Sequence, residues 1–142
     1  MREAELDRSS AQANWLAYAG DVRGKRLGGH VQALDFINGY FVNVPSGLLF
    51  VIYLDRSLRI CDMVCLGSGS IDGVSVHISE VIGQGSSVNA EAFILVHNQP
   101  SGDPTPSQND IRISRRIRRI SEELCMPLLE HFIVANGQIG TI

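Results

Sequence analysis

The sequence lacks the features of several protein classes. No apolar run reaches the roughly 18 to 20 residues that a membrane-spanning helix needs, so a membrane span is excluded. The 12 Lys and Arg residues are outnumbered by 15 Asp and Glu residues, and the net charge of −3 gives no general attraction to nucleic acid. Any basic surface must therefore be local.

Cysteine and aromatic residues are also scarce. Three cysteines cannot all pair within one chain, and no apolar segment follows the first charges of MREAELDRSS as it would in a secretory signal. These observations predict a reduced, cytoplasmic protein. Aromatic residues make up only 6% of the chain, which leaves few rings for stacking on single-stranded nucleic acid.

What is present predicts one globular α/β domain. The chain has 142 residues, 44% of them apolar, and can bury a single continuous core. We expect residues 1–30 to form an N-terminal helix and a Gly/basic connector, and residues 31–142 to form the compact domain. Short apolar runs alternate with turns and helical patterns, which predicts a mixed sheet flanked by two or three helices. The predicted strands are 48–55, 59–66, 74–77, 92–97, 128–135 and 138–142, and the predicted helices are 79–88 and one that starts at Ser107 and ends before Pro127.

The segment after strand 92–97 has the most specific pattern in the chain. His97 and Gln99 are two residues apart and project from one face of the strand, and a loop with three prolines holds Asp110 back toward that face. A histidine and a carboxylate brought together would provide two ligands of a zinc site, and a catalytic site needs three protein ligands and a water. Gln99 is a poor third ligand, because zinc prefers imidazole, thiolate or carboxylate to an amide oxygen.

The runs HNQPSGDPTPSQND, from His97 to Asp110, and LLEHFIV, from Leu128 to Val134, resemble a known family. They are similar to the RadC branch of the MPN/JAMM (JAB-domain) metalloprotease-like proteins, whose pattern is H-N-H-P-S-G-D-P-x-P-S-x-x-D and then L-L-D-H-x-I-V. The resemblance covers about residues 45 to 142. It implies a curled mixed sheet flanked by helices, with the cytidine-deaminase-like architecture of that family. It also implies a zinc ion held by two His and one Asp, a nearby Ser, and an upstream Glu acting as general base.

Carried over residue by residue, this pattern is incomplete. His97 and Asp110 match two metal ligands, and Ser107 matches the catalytic Ser that would help to hold an oxyanion. Gln99 stands where the family has its second His, and the base Glu falls on Gly47. Two of the four groups that the chemistry requires are therefore absent, and hydrolysis is expected to fail even in an intact fold. Replacement of the base by a carboxylate from elsewhere in the chain stays an open alternative, with Glu80 and Glu91 as candidates.

Structural roles explain some of the same residues. Ser107 can cap the following helix, and Asp110 can complement its dipole. Five arginines on the helix at residues 110–124 form a candidate phosphate-contacting face, but nearby acidic residues lower the local net charge to about +2. A solvated face with local ion pairs is the favoured interpretation. The five are Arg112, Arg115, Arg116, Arg118 and Arg119.

The sequence therefore predicts a RadC-like JAB/MPN domain with a degenerate metal site, in which zinc binding is weak or absent. We expect it to be catalytically inactive and to act as a binding or scaffold module for a protein partner. One alternative is an active zinc-dependent metallopeptidase or isopeptidase. Another is a protein associated with DNA repair that binds DNA, weakly, through the Arg-rich helix 110–124.

Overall fold

A computed structural model describes residues 22–41, 48–68, 78–99 and 102–142. Three helices and five strands occupy these ranges. The helices are α1 (His30–Tyr40), α2 (Ile78–Ser87) and α3 (Gln108–Glu123). The strands are β1 (Leu48–Leu54), β2 (Ile60–Ser68), β3 (Ala92–Asn98), β4 (Leu128–Ala135) and β5 (Gln138–Thr141).

The strands form one mixed sheet in the order β2-β1-β3-β4-β5. Neighbouring strands are antiparallel except for β3 and β4, which are parallel and are joined by the crossover helix α3. The expected α/β class, a mixed sheet flanked by helices, is confirmed. β1 and β3 are each hydrogen-bonded on both sides, which explains why their sequences, LLFVIYL and AFILVHN, are apolar almost throughout.

Both faces of the sheet are covered. On one face, Ile52 of β1 and Ile94 of β3 pack with Phe36 and Ile37 of α1. On the other face, Val51 and Leu95 pack in one cluster with residues of α2 and α3. The alternation along β3 therefore assigns His97, which follows Leu95 by two positions, to the α2 and α3 face. This placement decides which helices can contribute to a site around His97.

Helix α1 was not predicted from the sequence. Its N-cap residue, Gly29, makes no side-chain cap hydrogen bond, and its first turn has no acidic residue, so the usual start signals are missing. The preceding residues 22–29 were expected to be a loop. Arg26 instead forms an isolated bridge with Arg59, and Leu27 is buried in the α1 cluster. The connector therefore packs along the edge of β2.

Helix α3 buries a different face from the one predicted. The spacing of the isoleucines predicts an apolar stripe that ends at Leu124, yet Leu124 is 53% exposed and only Ile117 of that stripe is buried. The other buried residues of the helix are polar: Asp110, Ser114 and Ser121. Small polar side chains face the sheet here because β4 presents polar groups to the helix. Ser114 and Ser121 of the helix form hydrogen bonds with these groups.

The terminal hairpin is confirmed. Asn136 and Gly137 connect β4 to β5 with φ values of 50° and 74°, the left-handed conformations that an Asn-Gly hairpin turn requires. Within the described ranges, every helix is too short or too polar to cross a bilayer. The predicted N-terminal helix, the predicted strand 74–77 and Gly47 lie outside the described residues.

Candidate functional site

The loop between β3 and α3 is fixed by short contacts at both ends. Gly102 has a φ of 78°, and a side chain there would collide with the Asn136 amide at the hairpin turn. The Thr105 backbone N–H donates to the Asp103 carboxylate at 2.9 Å, and this hydrogen bond holds the pKa of the carboxyl below its usual range. A side chain at Gly140 would likewise collide with the Pro104 carbonyl. The β4–β5 hairpin therefore supports the loop.

Ser107 and Asp110 close this loop onto α3 through a capping box. The Asp110 backbone N–H donates to Ser107 Oγ at 3.0 Å, and the Ser107 backbone N–H donates to Asp110 Oδ2 at 2.9 Å. Each residue thus satisfies a donor at the helix start, and Asp110 is itself buried. The oxyanion role carried over to Ser107 from the family pattern stays a prediction, and its observed contact is with the helix backbone.

We expect Ser107→Ala to lower the free energy of unfolding by about 1 kcal/mol, because the substitution removes the cap acceptor. Urea denaturation measures this change. Ser87→Ala is the matched control, since Ser87 Oγ donates to the Gln84 carbonyl at an exposed helix end, where a change below about 0.5 kcal/mol is expected. Equal losses in the two variants would show that the capping box contributes nothing beyond an ordinary surface hydrogen bond.

His97 and Asp110 are both buried, and the charge of Asp110 acts on the His97 ring. His97 is 6% exposed and Asp110 is 8% exposed. Burial lowers the pKa of His97, and the neighbouring Asp110 carboxylate acts in the opposite direction. The Nδ1 atom of His97 is buried without a hydrogen-bond partner in the described part of the chain. One imidazole and one carboxylate therefore meet beneath the start of α3.

The backbone and the side chain of Gln99 both form hydrogen bonds. Its backbone N–H donates to the Val134 carbonyl at 2.8 Å, which continues the pairing of β3 with β4 by one residue. Its side-chain Nε2 donates to the Asp103 carbonyl at 3.1 Å. The amide nitrogen of Gln99 therefore helps to hold the loop, and the convergence of its amide oxygen with His97 and Asp110 stays a prediction.

The LLEHFIV run predicts a structural, hydrogen-bonded role for His131, and the structure identifies its partner. This residue is fully buried on β4, and its Nδ1 lies 3.0 Å from Ser114 Oγ on α3, while Nε2 has no partner among the described residues. Burial is the main cause that lowers the pKa of His131 to about 3, followed by His97 and Arg118, with Asp110 opposing. The signal in the sequence was the pair of serines on α3, at positions where a core-facing helix normally has apolar residues.

The two carboxylates considered as replacement bases lie on different elements. Glu91 directly precedes β3 and pairs with Arg56 at 3.7 Å, so it is about 20 Å from His97 along the strand. Glu80 belongs to the first turn of α2, and the last turn of that helix leads into β3. Glu91 is therefore not beside His97, and Glu80 stays a candidate.

The donor set at this position does not match zinc. His97 and Asp110 offer an imidazole and a carboxylate, but the third position offers only the neutral amide oxygen of Gln99, a weak donor for zinc. Within the described ranges, no group of three or more His, Cys, Asp and Glu side chains is arranged to hold a metal ion. A three-ligand zinc site needs one more strong donor than these residues provide.

The arginines of α3 divide into two groups. Arg118 donates to the carbonyls of Leu128 at 3.0 Å and Ile142 at 3.1 Å, so it ties the helix to β4 and to the last residue of the chain. Arg115, Arg116 and Arg119 are exposed. They form no ion pair with any described residue, so the structure does not show the local ion pairs favoured from the sequence.

A mixed sheet with helices on both faces is consistent with a JAB/MPN-like fold. A sequence model of the RadC-like JAB domain matches residues 30–141. The chain belongs to the RadC-like JAB domain family.

Curated relatives share this family membership. The chain is 30% identical over 119 residues to a UPF0758 protein of Vibrio cholerae, an alignment that covers 84% of this chain and 75% of the relative. It is 36% identical over 135 residues to a UPF0758 protein of Rhodobacter capsulatus, covering 94% and 63%. It is 43% identical over 106 residues to one of Geotalea uraniireducens, covering 75% and 46%. The chain thus spans about half to three quarters of the length of these relatives.

Proposed function

We propose that this RadC-like JAB domain is catalytically inactive and acts as a binding or scaffold module for a protein partner. The observation that carries the proposal is the donor set, because Gln99 at the position of the family's second His offers only a neutral amide oxygen, while its amide nitrogen donates to the Asp103 carbonyl. His97 and Asp110 remain as two strong donors, which is one fewer than a catalytic zinc site requires.

The resemblance to the family also supports inactivity, because the residue that would act as general base is absent. The family's Glu corresponds to Gly47, and one of the alternatives, Glu91, lies at the opposite end of β3 from His97. Loss of a general base alone typically lowers a rate by about 10²- to 10⁴-fold. A chain without both a ligand and a base keeps the fold while the hydrolytic chemistry is lost.

The proposal also includes the cellular compartment and the kind of partner. Cys61, Cys65 and Cys125 are all free thiols, which suits a reducing compartment such as the cytoplasm. A protein partner is favoured over nucleic acid because the whole chain has a net charge of −3. Scaffold function requires only the preserved sheet and helices.

Zinc content tests the proposal directly. Protein purified without chelator is expected to contain well under one zinc per chain, because loss of even an outer-shell partner costs about 10- to 100-fold in metal affinity and loss of a ligand costs more. Inductively coupled plasma mass spectrometry gives the stoichiometry. Stoichiometric zinc that resists dialysis and disappears in His97→Ala would overturn the proposal in favour of an active zinc peptidase or isopeptidase.

A further inference from the structure

The exposed side of α3 forms one wall of a groove of about 760 Å³. Its described lining consists of arginines, partly exposed isoleucines and one glutamine. The long aliphatic stems of arginine add apolar surface to such a wall while the guanidinium groups reach solvent. The described lining residues are Gln108, Ile111, Arg112, Ile113, Arg115, Arg116 and Arg119.

No anion among the described residues compensates the charge in this groove. Arg112 donates to the neutral Asn109 side chain at 2.6 Å, and Arg115, Arg116 and Arg119 form no ion pair with described residues. No carboxylate is among the described lining residues. Four cations therefore lie along one side of a helix with no described anion between them.

This arrangement opposes the stability of the helix. Arg112 with Arg116 and Arg115 with Arg119 are like charges four residues apart, and Arg112 with Arg115 and Arg116 with Arg119 are three apart, spacings at which like charges destabilise a helix. A locally unfavourable cluster without a structural partner is typical of a functional surface. Arg118 differs from these four arginines, because its guanidinium donates hydrogen bonds to backbone carbonyls.

The lining favours a particular class of anion. The arginines from Arg112 to Arg119 extend over about 10 Å of helix axis, which allows contact with few phosphates of a duplex. The described lining contains no aromatic residue for stacking on bases, and Ile111 and Ile113 contribute apolar surface that a phosphate backbone cannot use. A peptide that presents carboxylates next to aliphatic side chains matches both components, since arginine binds carboxylates in a bidentate manner.

We infer that this groove binds an acidic, amphipathic segment of a partner protein, whose Asp and Glu side chains pair with Arg112, Arg115, Arg116 and Arg119 while its aliphatic side chains contact Ile111 and Ile113. The inference rests on the proposed function as a binding module and specifies the partner's chemistry. It is a docking interaction with no chemical step.

Selection from a random peptide library displayed on phage, against the full chain, tests the inference. Selected peptides are expected to be enriched in Asp and Glu interspersed with Leu, Ile or Val. A synthetic peptide from the selection should bind more weakly at about 200 mM than at about 50 mM salt, because the contacts are ionic. Polyglutamate of the same length should bind at least about tenfold more weakly, because it lacks apolar side chains.

The double variant Arg115→Gln/Arg119→Gln should lose about tenfold or more of the peptide affinity. Its melting temperature should rise, since like charges are removed from the helix. The control Arg26→Gln/Arg56→Gln removes the same charge from exposed positions outside the groove and should leave peptide affinity unchanged.

Three results would overturn the inference. They are selected peptides without acidic enrichment, equal peptide affinity in the double variant and the wild type, and displacement of the peptide by an equal concentration of a short DNA duplex at physiological salt. The last result would establish nucleic acid as the ligand. Zinc measured on the same preparation separates this outcome from failure of the proposed function, because a bound acidic peptide and stoichiometric zinc are independent readouts.

Discussion

Gln99→His is expected to raise zinc affinity by more than about 100-fold, the largest single effect that the structure predicts. His97 and Asp110 already lie together, and an imidazole at residue 99 adds the third strong donor that a tetrahedral site with one open position requires. The backbone of residue 99 is fixed by its hydrogen bond to Val134, so the strand geometry does not depend on the side chain. Zinc titration monitored by isothermal calorimetry measures the change.

Two controls make this result specific. Gln99→Asn keeps an amide and should leave zinc affinity unchanged, whereas Gln138→His adds an imidazole at an exposed position on β5 and should give no tight site. If Gln99→His does not bind zinc more tightly while circular dichroism shows an intact fold, residues 97, 99 and 110 do not converge. The alignment with the family pattern would then be wrong.

Hydrolysis is not expected in Gln99→His alone. The general base is still missing, and that group is usually worth about 10² to 10⁴ in rate. The double variant Gln99→His/Gly47→Glu restores the family pattern at both positions and is the variant in which peptidase activity is expected. Activity in wild-type protein would contradict the proposed inactivity.

Acidification is expected to destabilise the fold through His131. Burial keeps this imidazole neutral in the folded state, with a pKa of about 3, whereas the unfolded chain takes up the proton below the ordinary value of about 6.5. The unfolded state binds more protons, so stability is fully present above about pH 6.5 and is lost as the pH falls toward 3, by about 1.4 kcal/mol per pH unit. That slope is steep for a domain whose total stability is typically about 5 to 15 kcal/mol.

Urea denaturation between pH 7.5 and 4.5 measures this slope. The groups that face His131 are His97 on β3 and Asp110, Ser114 and Arg118 on α3. His131→Asn keeps a polar group near Ser114 and removes the titration, so its unfolding free energy should depend less on pH. Gln138→Asn is the control, because it changes an exposed side chain that does not titrate and should leave the slope unchanged. An unchanged slope in His131→Asn would contradict the assignment to His131.

Local signals account for what the sequence predicted of the fold. Apolar runs of strand length gave β1 and β3, the Asn136-Gly137 pair gave the terminal hairpin, and the Ser107 and Asp110 spacing gave the start of α3. Helix α1 was missed because it starts at Gly29 without a capping side chain. Its apolar spacing was nonetheless helical, since Ala33, Phe36, Ile37 and Tyr40 recur at the intervals of one helix face.

The site was less predictable because it depends on contacts between distant segments. The family pattern located His97 and Asp110, and the structure brings them together. The hydrogen bond from the Gln99 amide to the Asp103 carbonyl depends on the path of the loop. The sequence does not specify that path. The buried pair of Ser114 and His131 joins residues 17 positions apart across a helix and a strand, and the polar residues on α3 were hidden by a more obvious isoleucine pattern.

The hydrogen bond from the residue 99 backbone to Val134 has an evolutionary consequence. Because the main chain holds this position whatever its side chain, replacement of the residue does not have to be compensated elsewhere in the sheet. Every glutamine codon differs from a histidine codon by one base. If the proposed function holds, this chain and a relative with a complete metal-ligand set would differ at residue 99 by a single nucleotide change.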